Sequence, residues 1–178
     1  SNVRYQIEVS QQQGAYFSER ENYYPRAWMV YNYEVLSEDE IKKRYSQGNY
    51  NFRETVYLED EPGMELSGKP ASEPEIRFIE YNSNSCRLSV KSDKPGILCF
   101  NEIWYPAWNA YVDGENAEVY QANYCFRAIE FPAGEHEVEM RYESGTFIAG
   151  LWISIITLIA SAALLVFFRK DPYDKKKK

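Results

Sequence analysis

The longest unbroken apolar run lies near the end of the chain. From Thr146 to Phe168 the sequence reads TFIAGLWISIITLIASAALLVFF, without a charge and with only small Ser and Thr among Leu, Ile, Val and Phe. At about 1.5 Å of rise per helical residue, such a run is long enough to cross a hydrocarbon layer of about 30 Å. A core helix of a soluble protein keeps a polar face, which this run lacks, so it is read as a single transmembrane α-helix. Phe147 and Trp152 near one end, and Phe167, Phe168 and Tyr173 near the other, suit the aromatic belts at the two membrane surfaces.

Upstream, apolar residues recur with the period of strands. Residues 3–9 (VRYQIEV) alternate and predict an opening strand, after which 11–28 is polar and aromatic with little period. Val30 to Leu36 reads as a strand. Ser37-Glu38-Asp39-Glu40 then supplies an N-cap with acidic residues in the first turn, predicting one short helix that ends near Gly48. Thr55 to Leu58 reads as a short strand, and residues 60–75, rich in Glu, Pro, Gly and Ser, read as an exposed loop where a subdomain joint is placed. Ile76 to Tyr81 and Cys86 to Lys91 read as strands joined by Asn82-Ser83-Asn84-Ser85, with Cys86, Leu88 and Val90 on one face.

The stretch 95–143 is the most regular. Gly96 opens ILCFNEIW, apolar enough to be buried on both faces. Asp113-Gly114 between WNAYV and AEVYQ signals a hairpin. Tyr124 to Phe131 and Glu135 to Glu143, joined by Pro132-Ala133-Gly134, predict a second hairpin. In its last strand His136, Val138, Met140 and Tyr142 face one way and the charged residues the other. The expected fold is mainly β: an antiparallel β-sandwich, jelly-roll or immunoglobulin-like, with one short helix, followed by the transmembrane helix. The expected domains are a body over 1–145, a span over 146–168 and a basic tail over 169–178.

Charge adds a direction. The chain carries −7 overall, yet residues 1–168 hold 14 Lys and Arg against 25 Asp and Glu, while 169–178 hold 6 against 2. An acidic body repels phosphate, which argues against a nucleic-acid partner. Arg169, Lys170 and Lys175 to Lys178 follow the apolar run directly, and Glu137, Glu139 and Glu143 precede it. By the positive-inside rule the C-terminus is cytoplasmic and the body is extracytoplasmic. Ser1-Asn2 resembles the remnant of a cleaved tag, and residues 1–178 are read as a fragment whose upstream part is missing.

Candidate chemistry is sparse. Cys86, Cys99 and Cys125 are odd in number and lack metal-ligand spacing, so they read as small buried hydrophobes with one disulfide left open. No metal or cofactor is expected. His136, the only histidine, alternates with Val138 and Met140 and reads as a packing residue rather than a general base. Trp104, Tyr105, Trp108 and Tyr111 form an aromatic cluster before the hairpin, suited either to stacking on sugar rings or to the sandwich core. Arg127 is a candidate for a phosphate contact or a structural ion pair.

Specific motifs support a resemblance. Tyr105-Pro106 with Trp108, Val112-Asp113-Gly114, Ala122-Asn123, Phe126-Arg127-Ala128, Pro132-Ala133-Gly134-Glu135-His136 and Arg141-Tyr142, followed by a terminal span, resemble the end of YfhO-family bacterial membrane proteins. Tyr24-Pro25-Arg26-Ala27 and Asn51-Phe52-Arg53-Glu54, with Val56 and Leu58-Glu59, extend the likeness upstream. The resemblance implies a multi-span protein of the bacterial cytoplasmic membrane, similar to glycosyltransferases of the GT-C type, which move sugars from a polyprenyl-phosphate carrier onto cell-envelope polymers. It places the catalytic acids in loops between earlier membrane helices, so no catalytic residue is carried onto these 178 residues.

The reading is therefore a non-catalytic extracytoplasmic accessory domain of such a protein. Its expected partners are the lipid bilayer, the upstream helices of the same protein and cell-envelope glycan, with Trp104, Tyr105, Trp108, Tyr111 and Arg127 as glycan-contact candidates. The alternative is a non-enzymatic envelope module that binds glycan or a protein partner.

Overall fold

A computed structural model describes residues 5–10, 14–19, 23–66 and 68–168. Two compact units are distinguished, 1–142 and 143–178. The expectations for the basic tail fall outside the described residues.

The first unit is built of three antiparallel or mostly antiparallel sheets. Strands β1 (Tyr5–Ser10) and β2 (Gly14–Glu19) form a two-stranded hairpin of their own. The stretch that lacks period in the sequence thus contains a strand, held by pairs such as Ile7 with Phe17 and Val9 with Ala15. Both large residues of the first pair stay exposed, so no buried face imposed an alternation on this segment.

The remaining strands make a sandwich. The six-stranded sheet contains β3 (Ala27–Val30), β4 (Tyr33–Val35), β5 (Val56–Leu58), β8 (Gly96–Ile103), β11 (Tyr120–Ala122) and β12 (Phe126–Phe131), in the order β3-β8-β12-β11-β5-β4. The five-stranded sheet contains β6 (Glu75–Tyr81), β7 (Ser85–Ser92), β9 (Trp108–Val112), β10 (Glu115–Ala117) and β13 (Gly134–Tyr142), in the order β10-β9-β13-β7-β6. The edge strand β6 carries a register break between Phe78 and Glu80.

Strand alternation divides the core in two. Leu98 and Phe100 of β8, Ala27 and Met29 of β3, and Ile129 and Phe131 of β12 face the five-stranded sheet, where they pack with Leu88, Val90, Val138 and Met140. The intervening residues Ile97, Cys99, Trp28, Val30 and Ala128 face the other way and pack with Val56, Leu58 and Ile41 of helix α1 (Glu38–Ser46). The central strand β8 is therefore covered on both faces, as its continuous apolar run requires. Helix α1 starts where Glu40 reaches back to the Ser37 backbone N–H at 3.0 Å, with three acidic residues in its first turn.

Three connections differ from the sequence expectation. Val30 to Leu36 is not one strand: the chain breaks at Tyr31-Asn32, and β3 and β4 occupy opposite edges of the same sheet. Two linking residues allow at most roughly 11 Å between Val30 and Tyr33, so the sheet must curl until its edges approach at that corner. The segment AEVYQ also divides, with Ala117 in the five-stranded sheet and Tyr120 in the six-stranded one. Finally, β12 and β13 are not a hairpin. Strand β12 pairs with β8 and β11, and β13 pairs with β7 and β9, so Pro132-Ala133 carries the chain from one sheet to the other. Both strands hold large apolar residues that must meet across the core, and facing sheets satisfy that better than side-by-side pairing.

The Asp113-Gly114 turn between β9 and β10 is as expected. Both residues have positive φ, 51° and 85°, the conformation that closes a tight two-residue hairpin. The second unit is the helix α2 (Gly145–Phe168), 24 residues of which none is buried within the structure.

Candidate functional site

Strand directions bring several polar and aromatic residues to one end of the sandwich. There β8 and β6 finish, β3, β9 and β12 begin, and β13 reaches its last residue, Tyr142. Arg127, on β12, is only 2% exposed, and its guanidinium forms an ion pair with Glu102 of β8. It also lies 3.8 Å from the centre of the Trp108 ring, which projects from the facing sheet. Burial pulls the Arg127 pKa down to about 10, still well above neutrality. Its Nε and Nη1 have no partner among the described residues, so the indole face and the single carboxylate carry its compensation.

The network extends outward through Glu102. The Tyr81 hydroxyl donates to Glu102 at 2.7 Å and accepts from Arg26 at 2.7 Å, while the Arg26 guanidinium sits 4.4 Å from the Tyr81 ring centre. Tyr142 packs edge-on against Trp108, with ring centres 5.5 Å apart, and Tyr105 stacks on Tyr142 at 6.1 Å. The Trp104 indole donates to the Val119 carbonyl at 3.2 Å.

The five residues singled out in the sequence are thus placed in three ways. Trp108 and Arg127 lie together, half-buried and buried. Trp104 and Tyr105 flank them, with Tyr105 exposed. Tyr111 is apart: alternation along β9 turns it to the outer face of the five-stranded sheet, where the Arg141 guanidinium covers its ring at 4.9 Å and also grips Glu139 through two hydrogen bonds. Arg26, Tyr81, Glu102 and Tyr142 were not anticipated. They come from elements far apart in sequence, and only the pairing of strands unites them.

A cleft of about 720 Å³ opens beside this end, between α1 and the six-stranded sheet. Its wall is aromatic: Tyr50 stacks on Phe52 with ring centres 4.7 Å apart, and Tyr24 and Tyr45 pack on the same Phe52 at 5.9 and 5.3 Å. The Tyr45 hydroxyl donates to the Asn123 carbonyl at 2.5 Å, and burial pushes its pKa well above the usual phenol range. Asn101 contributes an amide nitrogen with no partner among the described residues.

Other polar groups are structural. His136 donates from Nδ1 to the Asp113 carboxylate at 2.6 Å, and its Nε2 lies 3.1 Å from the Ala133 carbonyl, fastening two turns to each other. The three cysteines are free thiols, Cys86 and Cys99 buried. Among the described residues no group of His, Cys, Asp and Glu is arranged to hold a metal ion.

The model of the family described as bacterial membrane protein YfhO matches residues 1–154. Neither curated proteins nor solved structures give a match.

Proposed function

The chain belongs to the YfhO family of bacterial membrane proteins, and we propose that residues 1–145 are the extracytoplasmic accessory domain of a multi-span member. In this reading α2 anchors the domain in the cytoplasmic membrane, the basic tail over 169–178 is cytoplasmic, and the parent protein transfers sugar from a polyprenyl-phosphate carrier to an envelope polymer. The domain performs no chemistry. It guides the acceptor, with Trp104, Tyr105, Trp108 and Tyr111 as the stacking surfaces and Arg127 as the buried support beneath Trp108.

The observation that carries the reading is a β-sandwich followed within three residues by an uncharged, mostly apolar helix of 24 residues that the structure leaves wholly unburied. Such a surface is costly in water and at home in lipid. The sidedness rests on the cations after the helix and the carboxylates before it. A thiol label that cannot cross membranes tests it: in a Cys125→Ser background, which removes the one thiol that is not buried, it should in intact cells reach Glu115→Cys and fail to reach Lys176→Cys, and the opposite pattern would overturn the orientation. For the acceptor, Tyr105→Ala and Tyr111→Ala should each weaken retention on cell-wall polysaccharide with an unchanged melting temperature. Retention equal to that of the unsubstituted chain would remove these rings from the site.

A further inference from the structure

Eight large hydrophobic side chains stand exposed among the described residues of 23–142. All but Val35 and Ile79 lie at or beside the end of the sandwich where Tyr142 finishes β13: Tyr50, Tyr81, Ile103, Tyr105, Tyr124 and Tyr142. Ile103 is 73% exposed and Tyr105 55%. The opposite end, with the turns at Asp113-Gly114 and Pro132-Ala133, instead carries the exposed carboxylates of Asp113, Glu115 and Glu135.

Five of the six are tyrosines, whose rings are apolar and whose hydroxyls want water or a polar partner. That combination favours a boundary between oil and water over either phase alone. The chain supplies such a boundary nearby. Tyr142 is three residues before Gly145, the first residue of α2, and three Cα steps span at most about 11 Å. The headgroup layer is itself roughly 5–7 Å deep on each side of the hydrocarbon. Tyr142 is also held in the body, its backbone N–H donating to the Asn84 carbonyl at 2.8 Å in the β6–β7 turn.

We propose that this end of the body is a lipid-facing surface, whose exposed tyrosines and Ile103 rest in the headgroup layer of the membrane that α2 enters. The surface includes Arg26, half exposed beside Tyr81, which places a cation where anionic headgroups lie. The proposal rests on α2 as a membrane span; Tyr105 is shared with the proposed polymer contact, so the test reads positions 103 and 124, which that contact does not use.

The test uses the whole 178-residue chain in nanodiscs containing a lipid with a nitroxide on its headgroup. Quenching of native Trp152, read as the difference between the unsubstituted chain and Trp152→Phe, reports on α2. In the Trp152→Phe background, which keeps Trp28, Trp104 and Trp108, Ile103→Trp adds an indole at the proposed surface and Glu115→Trp adds one at the opposite end, each read as the difference from that background; both sites are exposed, and Tyr124→Trp is a second probe of the surface. The indoles added at 103 and 124 should be quenched several-fold more than the one at 115. Equal quenching at all three positions, with Trp152 still quenched, would overturn the proposal while leaving the span intact. Unquenched Trp152 would instead overturn the span. Quenching at 103 that disappears when discs hold a single chain would assign the surface to a second copy and also overturn the proposal.

Discussion

Arg127 and Trp108 stand face to face across the two sheets, the guanidinium 3.8 Å from the indole centre. The contact joins strands that share no hydrogen bonds, and it buries a cation whose one ion-pair partner among the described residues is Glu102. Replacing Trp108 by Ala removes half-buried aromatic area and opens the guanidinium to the core, and is expected to cost roughly 3 kcal/mol of stability. Glu102→Gln leaves the cation without its counter-charge and is expected to cost a similar amount, about 3 kcal/mol. Thermal unfolding of the two variants and their combination measures both terms, and the double variant should lose less than the sum because the residues share Arg127.

Asn123 offers a sharper case. It is fully buried with φ of 48°, its side-chain oxygen accepts from the Tyr57 N–H at 2.9 Å, and its own N–H donates to the Tyr57 carbonyl at 2.7 Å. Asn tolerates this backbone region better than most residues, so one side chain satisfies both the turn and the neighbouring strand. Asn123→Ala should destabilise the body by about 2–3 kcal/mol through strain and an unpaired backbone donor. Asn123→Gly, which relieves only the strain, should recover part of that loss in the same melt.

The His136–Asp113 pair makes stability depend on pH. The Asp113 carboxylate, then the Ala133 carbonyl, raise the imidazole pKa above its ordinary 6.5, and His136 followed by the Glu137 N–H lower that of Asp113 below 3.8. The imidazole contribution is complete below pH 6.5 and fades as pH rises through the raised value; the carboxylate contribution is complete above pH 3.8 and fades as pH falls through the lowered one. Between these limits both are present. The melting temperature should fall on the alkaline side of that window, and His136→Gln should abolish the fall.

Gly134 tests the same corner by sterics. It has φ of 128°, and a Cβ built there would lie 2.7 Å from His136 Nε2. Gly134→Ala should cost about 2 kcal/mol and release the imidazole, visible as a shift in its NMR titration toward the ordinary value.

Thiol access should follow burial. Under native conditions iodoacetamide should modify Cys125, which is half-buried at the aromatic cleft, well before Cys86 and Cys99. Burial raises all three thiol pKa values, most strongly that of Cys99. Equal rates at the three sites, read by mass spectrometry, would show that the core opens faster than the reagent acts.

Local patterns were legible where one residue's neighbours decide its conformation. The apolar run of α2, the alternation of β7 and β13, the Ser37–Glu40 start of α1 and the Asp113-Gly114 turn all follow from short-range rules. The β12–β13 connection was misread because Pro132-Ala133-Gly134 says that the chain reverses, but not whether the returning strand pairs beside its predecessor or faces it across a core. Burial of Arg127, Ala128 and Ile129 in succession marks β12 as an interior strand, and only the fold reveals that burial. The site behaved alike: Trp104, Tyr105 and Trp108 are sequence neighbours and were found together, whereas Arg26, Tyr81 and Tyr142 meet them only through strand pairing. Several residues that carry the family resemblance, Asp113, Gly114, Asn123, Arg127, Gly134 and His136, prove to hold turns and join sheets.

The break in the pairing of β6 matters beyond the sandwich itself. Every other outer strand of the two large sheets is three or four residues long, too short to template a neighbour, while β6 has seven. Its irregularity at Ile79, together with the charges of Glu75, Arg77 and Glu80, spoils the one border where a stray chain would otherwise zip on. Molecules confined to a surface collide far more often than molecules free in solution, and a blunted border lets many copies crowd together without fusing into fibrils.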